Sequence, residues 1–97
     1  MIASFRNRGT EDVFDGKDTS AARRVCPREV WPIARRKLDQ MNRVRDVLEL
    51  GILPGNHLER LKGDRRGQYS IRINDRYRIC FRWELTYAYE VEITDYH

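Results

Sequence analysis

The sequence predicts an α+β domain, with an N-terminal strand and helices packed on one face of a C-terminal antiparallel β-sheet. Three observations carry this. Apolar residues recur at three- and four-residue steps across residues 28–42. After residue 57 the period changes to two, and short turn signals join the period-two runs. The 97 residues form a single domain, 1–97, with one modest core. A domain this size buries only about 60–65% of its unfolded surface, so a binding partner would add useful stability.

The opening "MIASF" is apolar and reads as a strand. In "GTEDVFDG", Thr10 is placed to cap a helix, Glu11 and Asp12 suit its N-terminus, and Gly16 ends it. "KDTSAARRV" is polar and reads as a connection. The clearest helix follows. Val30, Trp31, Ala34, Leu38 and Met41 form its apolar stripe, with Arg35, Arg36, Lys37 and Asp39 opposite. Pro32 fits only in the first turn, so the helix starts near Cys26–Glu29 with an irregularity at Pro32. "RDVLELG" is a further helical turn closed by Gly51, and "ILPGN" is a loop.

"HLERL" is a short strand and "KGDRRG" a polar, glycine-bounded loop. "QYSIRI" sets Tyr69, Ile71 and Ile73 against Ser70 and Arg72, and "ND" is a two-residue turn. "RYRICFRW" sets Tyr77, Ile79, Phe81 and Trp83 against Arg76, Arg78, Cys80 and Arg82. After a turn near Glu84–Thr86, "YAYEVEI" sets Tyr87, Tyr89, Val91 and Ile93 against Glu90 and Glu92. Register fixes side, so the apolar sets share the face that packs on the helices. The other face collects Ser70, Arg72, Arg76, Arg78, Arg82, Glu90 and Glu92.

Charged residues make up 35% of the chain, net charge is +4 and the pI is about 9.4. Aromatic residues at 10% argue for a folded domain, not a disordered one. The basic balance points to nucleic acid or an acidic protein as partner. On the arginine face, a grip on phosphates competes with cross-strand pairing to Glu90 and Glu92. Arg72, Arg76, Arg78 and Arg82 outnumber those two acids, which favours the grip. Cys26 and Cys80 lack CxxC spacing, and with two histidines they give no zinc pattern. They read as reduced thiols of a cytoplasmic protein. "MIASFRNRGT" has no secretory h-region, and no apolar run approaches a membrane span. "LKGDRRG" lacks P-loop spacing, and His57 reads as a surface or capping residue.

"LKGDRRGQYSIRINDRYRICFRW", the terminal "VEITDYH" and the opening "MIASFRNRGTEDVFDG" resemble the HigB-type toxins of bacterial type II toxin–antitoxin systems, within the RelE/ParE superfamily. The likeness spans the chain and is loosest over residues 17–56. It implies a RelE-like fold and a ribosome-dependent mRNA endonuclease that works in the ribosomal A site without a cofactor. It implies a HigA-type helix-turn-helix antitoxin as partner, and operator DNA bound through that antitoxin. The implied catalytic cluster is Lys62, Arg78, Asp95, Tyr96 and His97, with Arg65, Arg66, Arg72 and Arg76 as RNA contacts. In one branch of the family a histidine precedes the lysine by three positions. Here that position is Glu59, and His57 lies two residues earlier. On a strand that offset keeps the face but shifts ~6–7 Å.

These residue types suit phosphodiester cleavage by a ribose 2′-OH. Histidine near pKa 6.5 can take a proton at neutral pH, so His97 is the candidate base. Asp95 and the chain's own carboxylate favour its imidazolium form, which leaves acid work open to it. Lys62 and Arg78 suit a developing anion. Acid work by Lys62 also stays open, because Arg65 and Arg66 could depress its pKa. Tyr96 could stack on a base, bind a phosphate, or pack at the edge. Two rival readings remain: a non-catalytic toxin that blocks a target as the ParE side of the superfamily does, and a plain nucleic-acid binder.

Overall fold

A computed structural model describes residues 1–95. Four helices precede a four-stranded antiparallel sheet, and the strands lie in chain order. The helices are α1 (Arg8–Asp15), α2 (Ser20–Val25), α3 (Trp31–Arg43) and α4 (Val47–Ile52). The strands are β1 (Glu59–Arg60), β2 (Tyr69–Arg72), β3 (Tyr77–Glu84) and β4 (Tyr87–Asp95). One core cluster joins Leu38 and Met41 of α3 to Ile71, Ile79, Phe81, Val91 and Ile93 of the sheet.

Local chemistry sets the helix ends. Asn7, not Thr10, caps α1, its side chain accepting from the Thr10 amide at 2.8 Å. Gly16 closes α1 in the left-handed conformation, as expected. Residues 20–25, expected to be a connection, form α2, because Thr19 caps them by accepting from the Ala22 amide. The polar string hid that cap, and also Ala22, which is buried against α1. Gly9 lets α1 and α2 touch: a Cβ there would lie 2.4 Å from the Ala21 carbonyl oxygen. A 3-10 turn at Arg28–Val30 leads into α3, with Pro32 in the first turn. Asp46 and Glu49 form a capping box on α4. Gly51 lies inside α4 and does not end it.

The expected N-terminal strand is only two isolated parallel bridges, Ile2 to Ala88 and Phe5 to Val91. It still covers the outer edge of β4. The Ala3 and Arg6 amides donate to the Ala88 and Val91 carbonyls, and the Ala88 and Val91 amides donate to Met1 and Ser4. The Glu90 amide donates to Ser4 Oγ and the Ile93 amide to Thr10 Oγ1. Thr10 is therefore a buried tie between α1 and β4.

β4 contains a bulge that reverses part of the expected side assignment. Cys80 pairs with Glu92 and Arg82 with Tyr89, so Glu90 and Val91 together oppose Phe81. Glu90 takes a left-handed φ of 52°. From there to the turn the parity flips. Ala88 enters the core, while Tyr87 and Tyr89 move to the arginine face. The β2–β3 turn also differs, with three residues, Asn74 to Arg76, between the paired positions 73 and 77. Asn74 Oδ1 accepts from the Arg76 and Tyr77 amides and holds that turn.

Lys37, expected on the solvent side of α3, is only 5% exposed. It continues the Ala34–Leu38–Met41 stripe, and its ammonium donates to the Gly55 and Arg72 carbonyls. Burial lowers its pKa first, and the nearby Arg36, Arg72 and Arg78 lower it further. Below both the folded and the unfolded pKa the penalty of charging a buried amine is fully present. It is relieved as pH rises from the lowered folded value toward the ordinary 10.5. Lys37→Met keeps the stem but orphans two carbonyls. At pH 7 it should destabilise the fold by about 1–3 kcal/mol, read as a lower urea midpoint with an unchanged slope. The variant should also lack the wild type's stability gain in that alkaline window.

Candidate active site

The arginine face is built on β2, β3 and β4, and the loop from 61 to 68 lies against one side of it. Arg78 is at its centre. The side chain is only 11% exposed. Its Nε donates to Ser70 Oγ at 2.8 Å and its Nη2 to the His57 carbonyl at 2.7 Å. These contacts fix the guanidinium plane from below and from the side. Ser70 is fully buried, since β2 places it directly across from Cys80.

The His57 carbonyl is held in its turn. The preceding Asn56 is fully buried, and its Nδ2 donates to the Leu50 carbonyl at 3.0 Å and to Gln40 Oε1 at 3.3 Å. The Arg72 amide donates to the Asn56 carbonyl at 2.6 Å. Lys37, Asn56 and His57 thus join α3 and the end of α4 to the arginine on β3. His57 has a left-handed φ of 45°, and β1 begins only at Glu59. The expected strand over "HLERL" is therefore two residues long, and His57 is not two strand steps from Glu59 on a shared face. Its imidazole is exposed.

Glu59, at the position where part of the family carries histidine, lies 3.9 Å from Arg78 Nη2. A carboxylate therefore stands beside the central arginine. The cations on the strands and Arg65 are also engaged. Arg65 meets Glu92 at 2.8 Å and Gln68 at 3.1 Å, Arg82 meets Glu90 at 2.7 Å, and Arg72 meets Asp75. Pairing on this face is more extensive than the count of strand acids suggested. Asp75 and Asp95 come from a turn and a strand end, outside the alternating pattern.

Asp95 binds Arg76, with Nη2–Oδ2 at 2.8 Å and Nε–Oδ2 at 2.9 Å. The carboxylate's hydrogen bond and charge raise the pKa of Arg76 above its ordinary value. By register Asp95 stands opposite Tyr77, while Arg78 stands opposite Thr94. Adjacent strand positions face opposite ways, so by register Asp95 shares the side of Tyr77 and Arg78 that of Thr94: the strands bring the two expected catalytic residues close along the chain but not onto one face, and Asp95 is gripped by Arg76. Lys62 is exposed on the loop before the 3-10 turn Gly63–Arg65, and Arg65 ties that loop to β4 through Glu92. Arg66 is exposed on the same loop. Tyr96 and His97 lie outside the described residues.

Sequence reading missed the supports: Lys37, Asn56 and Ser70. The stripe position of Lys37 between Ala34 and Leu38 was a usable signal. Nothing in the local sequence marks Asn56 or Ser70 as buried.

A sequence model of the family described as "RelE-like toxin of type II toxin-antitoxin system HigB" matches residues 3–97. Toxin HigB-1 of Vibrio cholerae serotype O1 is 30% identical over 83 residues, spanning 86% of this chain and 84% of that protein. Endoribonuclease HigB of Proteus vulgaris is 32% identical over 99 residues, spanning 100% of both.

Cys80 sits under the face, fully buried, and its thiol pKa is raised above the ordinary value, mainly by burial. Burial pushes the Cys26 thiol up to about 11. Both should be inert at neutral pH. Ellman's reagent at pH 7.5 should label neither thiol in the native chain and both in denaturant. Fast native labelling would remove Cys80 from the packed layer beneath Arg78.

Proposed function

The chain belongs to the RelE-like HigB toxins of type II toxin–antitoxin systems, and on that premise we propose that it is a ribosome-dependent mRNA endonuclease. Membership implies a protein antitoxin as partner. The observation that carries the catalytic reading is the end-to-end similarity to an endoribonuclease, Endoribonuclease HigB of Proteus vulgaris. The fixed guanidinium of Arg78, in the middle of a basic face, supports it.

The proposed reaction uses the substrate's own ribose. The 2′-oxygen attacks the adjacent phosphorus, the P–O5′ bond breaks, and the products are a 2′,3′-cyclic phosphate and a 5′-hydroxyl end. His97 accepts the 2′-OH proton, and a proton must reach the departing 5′-oxygen. Arg78 and Lys62 stabilise the extra negative charge on the phosphoryl oxygens. A guanidinium anchored by Ser70 and His57 needs little reorganisation as that charge develops. Asp95 and Tyr96 complete the C-terminal group, with Arg76 holding the carboxylate. Arg65, Arg66, Arg72 and Arg76 are the proposed phosphate contacts. The HigA-type helix-turn-helix antitoxin, operator DNA reached through it, and a cytoplasmic site of action belong to the same proposal.

Cleavage of mRNA by the purified chain, with and without programmed ribosomes, tests this reading. Cuts should need ribosomes. His97→Ala and Lys62→Ala should fold normally and cut about 10²–10⁴-fold more slowly, the range for losing a proton-transfer group or one charge stabiliser. Equal activity in His97→Ala would remove it as the base. Failure of the folded wild type to cut would favour the target-blocking reading.

Glu59 separates two roles. Its carboxylate beside Arg78 should repel the incoming phosphate, so Glu59→Gln should lower KM a few-fold and leave kcat unchanged. A large fall in kcat would instead assign proton transfer to Glu59.

A further inference from the structure

The loop that carries Lys62 has two sides. Arg65 turns toward Glu92 on the arginine face, while Arg66 lines an open cleft of about 420 Å³. Tyr69 and Trp83 provide the rings of that cleft, and Arg60 joins Arg66 at its rim. Tyr69 and Trp83 flank the buried ring of Phe81. Tyr69 stacks on it at 5.9 Å between centroids, and Trp83 meets it edge-on at 6.3 Å. Both outer rings remain partly exposed. The Arg60 guanidinium sits 5.5 Å above the Tyr69 ring and donates to its hydroxyl at 3.2 Å.

We propose that this cleft is a nucleotide subsite, taking one unpaired base of the RNA against the partly exposed ring of Trp83, with Tyr69 and Arg60 as its far wall and the adjoining phosphate at Arg60 and Arg66. The proposal rests on the RNA-cleaving reading and gives it a second contact point away from the cut. Exposed aromatic faces beside arginines suit single-stranded RNA, because bases stack on rings and guanidinium groups bind phosphate. No carboxylate lines the cleft among the described residues. A neighbouring cleft provides the contrast: it is lined by Arg82, Glu84 and Glu90, with two acids to one base, and offers an anion nothing. Gly67 and Trp83 border both, so the two clefts meet at the Trp83 ring, and a Cβ at Gly67 would lie 2.9 Å from Arg82 Nη1, so the rim between them stays low.

Trp83 lies five residues along β3 from Arg78 and on the opposite side of the strand, about 16 Å away. The 62–67 loop touches both places, through Arg65 at Glu92 on the face and through Arg66 and Gly67 in the cleft. The cleft therefore reads a base outside the scissile pair and holds the strand in register for Lys62 and Arg78.

Labelling the whole chain with 5-fluorotryptophan gives one ¹⁹F signal from Trp31 and one from Trp83, assigned by its loss in Trp83→Phe. Titration with a 2′-O-methyl RNA octamer, which cannot be cut, should shift the Trp83 signal to saturation and leave that of Trp31 in place. Trp83→Ala should weaken octamer binding about 5- to 150-fold, the equivalent of ~1–3 kcal/mol for one stacked base. Because Trp83 also packs on Phe81, Arg66→Ala is the second variant. It removes an exposed side chain, and it should lower affinity and flatten the salt dependence by about 0.7 in log K against log salt.

A silent Trp83 signal while the octamer binds by anisotropy would overturn the subsite, as would no octamer binding at all. So would Trp83 and Arg66 variants that bind RNA as the wild type does but lose the antitoxin. Cleavage is scored separately on ribosomes. A shifted Trp83 signal without cleavage keeps the subsite and sinks the endonuclease. Cleavage with a silent Trp83 does the reverse.

Discussion

The outer edge of β4 is the constraint on which the rest depends. An edge strand leaves a row of amides and carbonyls that must be covered or paired. Here residues 1–6 and Thr10 take those groups one by one, from the Ala88 pair to the Ile93 amide. That closure joins the first residues to the last strand and places α1 over it. It also accommodates the bulge at Glu90, where Ser4 supplies both its carbonyl and its hydroxyl to β4 amides. The same closure holds β4 along its length to Asp95, the last described residue.

A second network works from beneath. Lys37 and Asn56 make polar contacts in the interior that a small core can ill afford unless each is satisfied. They fasten the 53–58 loop to α3, α4 and the end of β2. The loop's reward is position: it brings the His57 carbonyl to Arg78. A serine on the adjacent strand completes the grip. These two are neutral acceptors that orient the guanidinium at hydrogen-bond distance, while the Glu59 carboxylate stands farther off at 3.9 Å.

The sequence announced helices before the sheet, the β2–β4 meander, the Pro32 position and the Gly16 stop, because each depends on period or on one residue's own geometry. What it hid depends on partners far along the chain. The parity flip at Tyr87 and Tyr89 follows from a bulge set by contact with Ser4, 86 positions from Glu90. The burial of Lys37 depends on two distant carbonyls, Gly55 in a loop and Arg72 at the end of β2. Helix α2 escaped notice because its six residues carry little apolar pattern and a single cap decides them. On the arginine face, the place of Arg78 on its strand and pairing to Glu90 and Glu92 were legible from alternation, while the supports Ser70 and Asn56 and the pairing of Asp75 and Asp95 were not.

The extensive ion pairing on the arginine face is no argument against substrate binding once magnitudes are compared. Arg82–Glu90 is an exposed pair, and such pairs contribute only ~0–1 kcal/mol. A hydrogen bond to a charged group contributes about 1.5–3 kcal/mol when well formed. Exchanging a flexible carboxylate for a phosphate oxygen is therefore close to neutral or favourable. Until RNA arrives, the acids limit self-repulsion among cations on a +4 chain. Arg78 is different, since its side chain is nearly buried and its plane is set by Ser70 and His57. On the proposed reading, exchangeable pairs at the periphery guide the strand, and the one arginine that cannot swing away meets the phosphate at which charge develops.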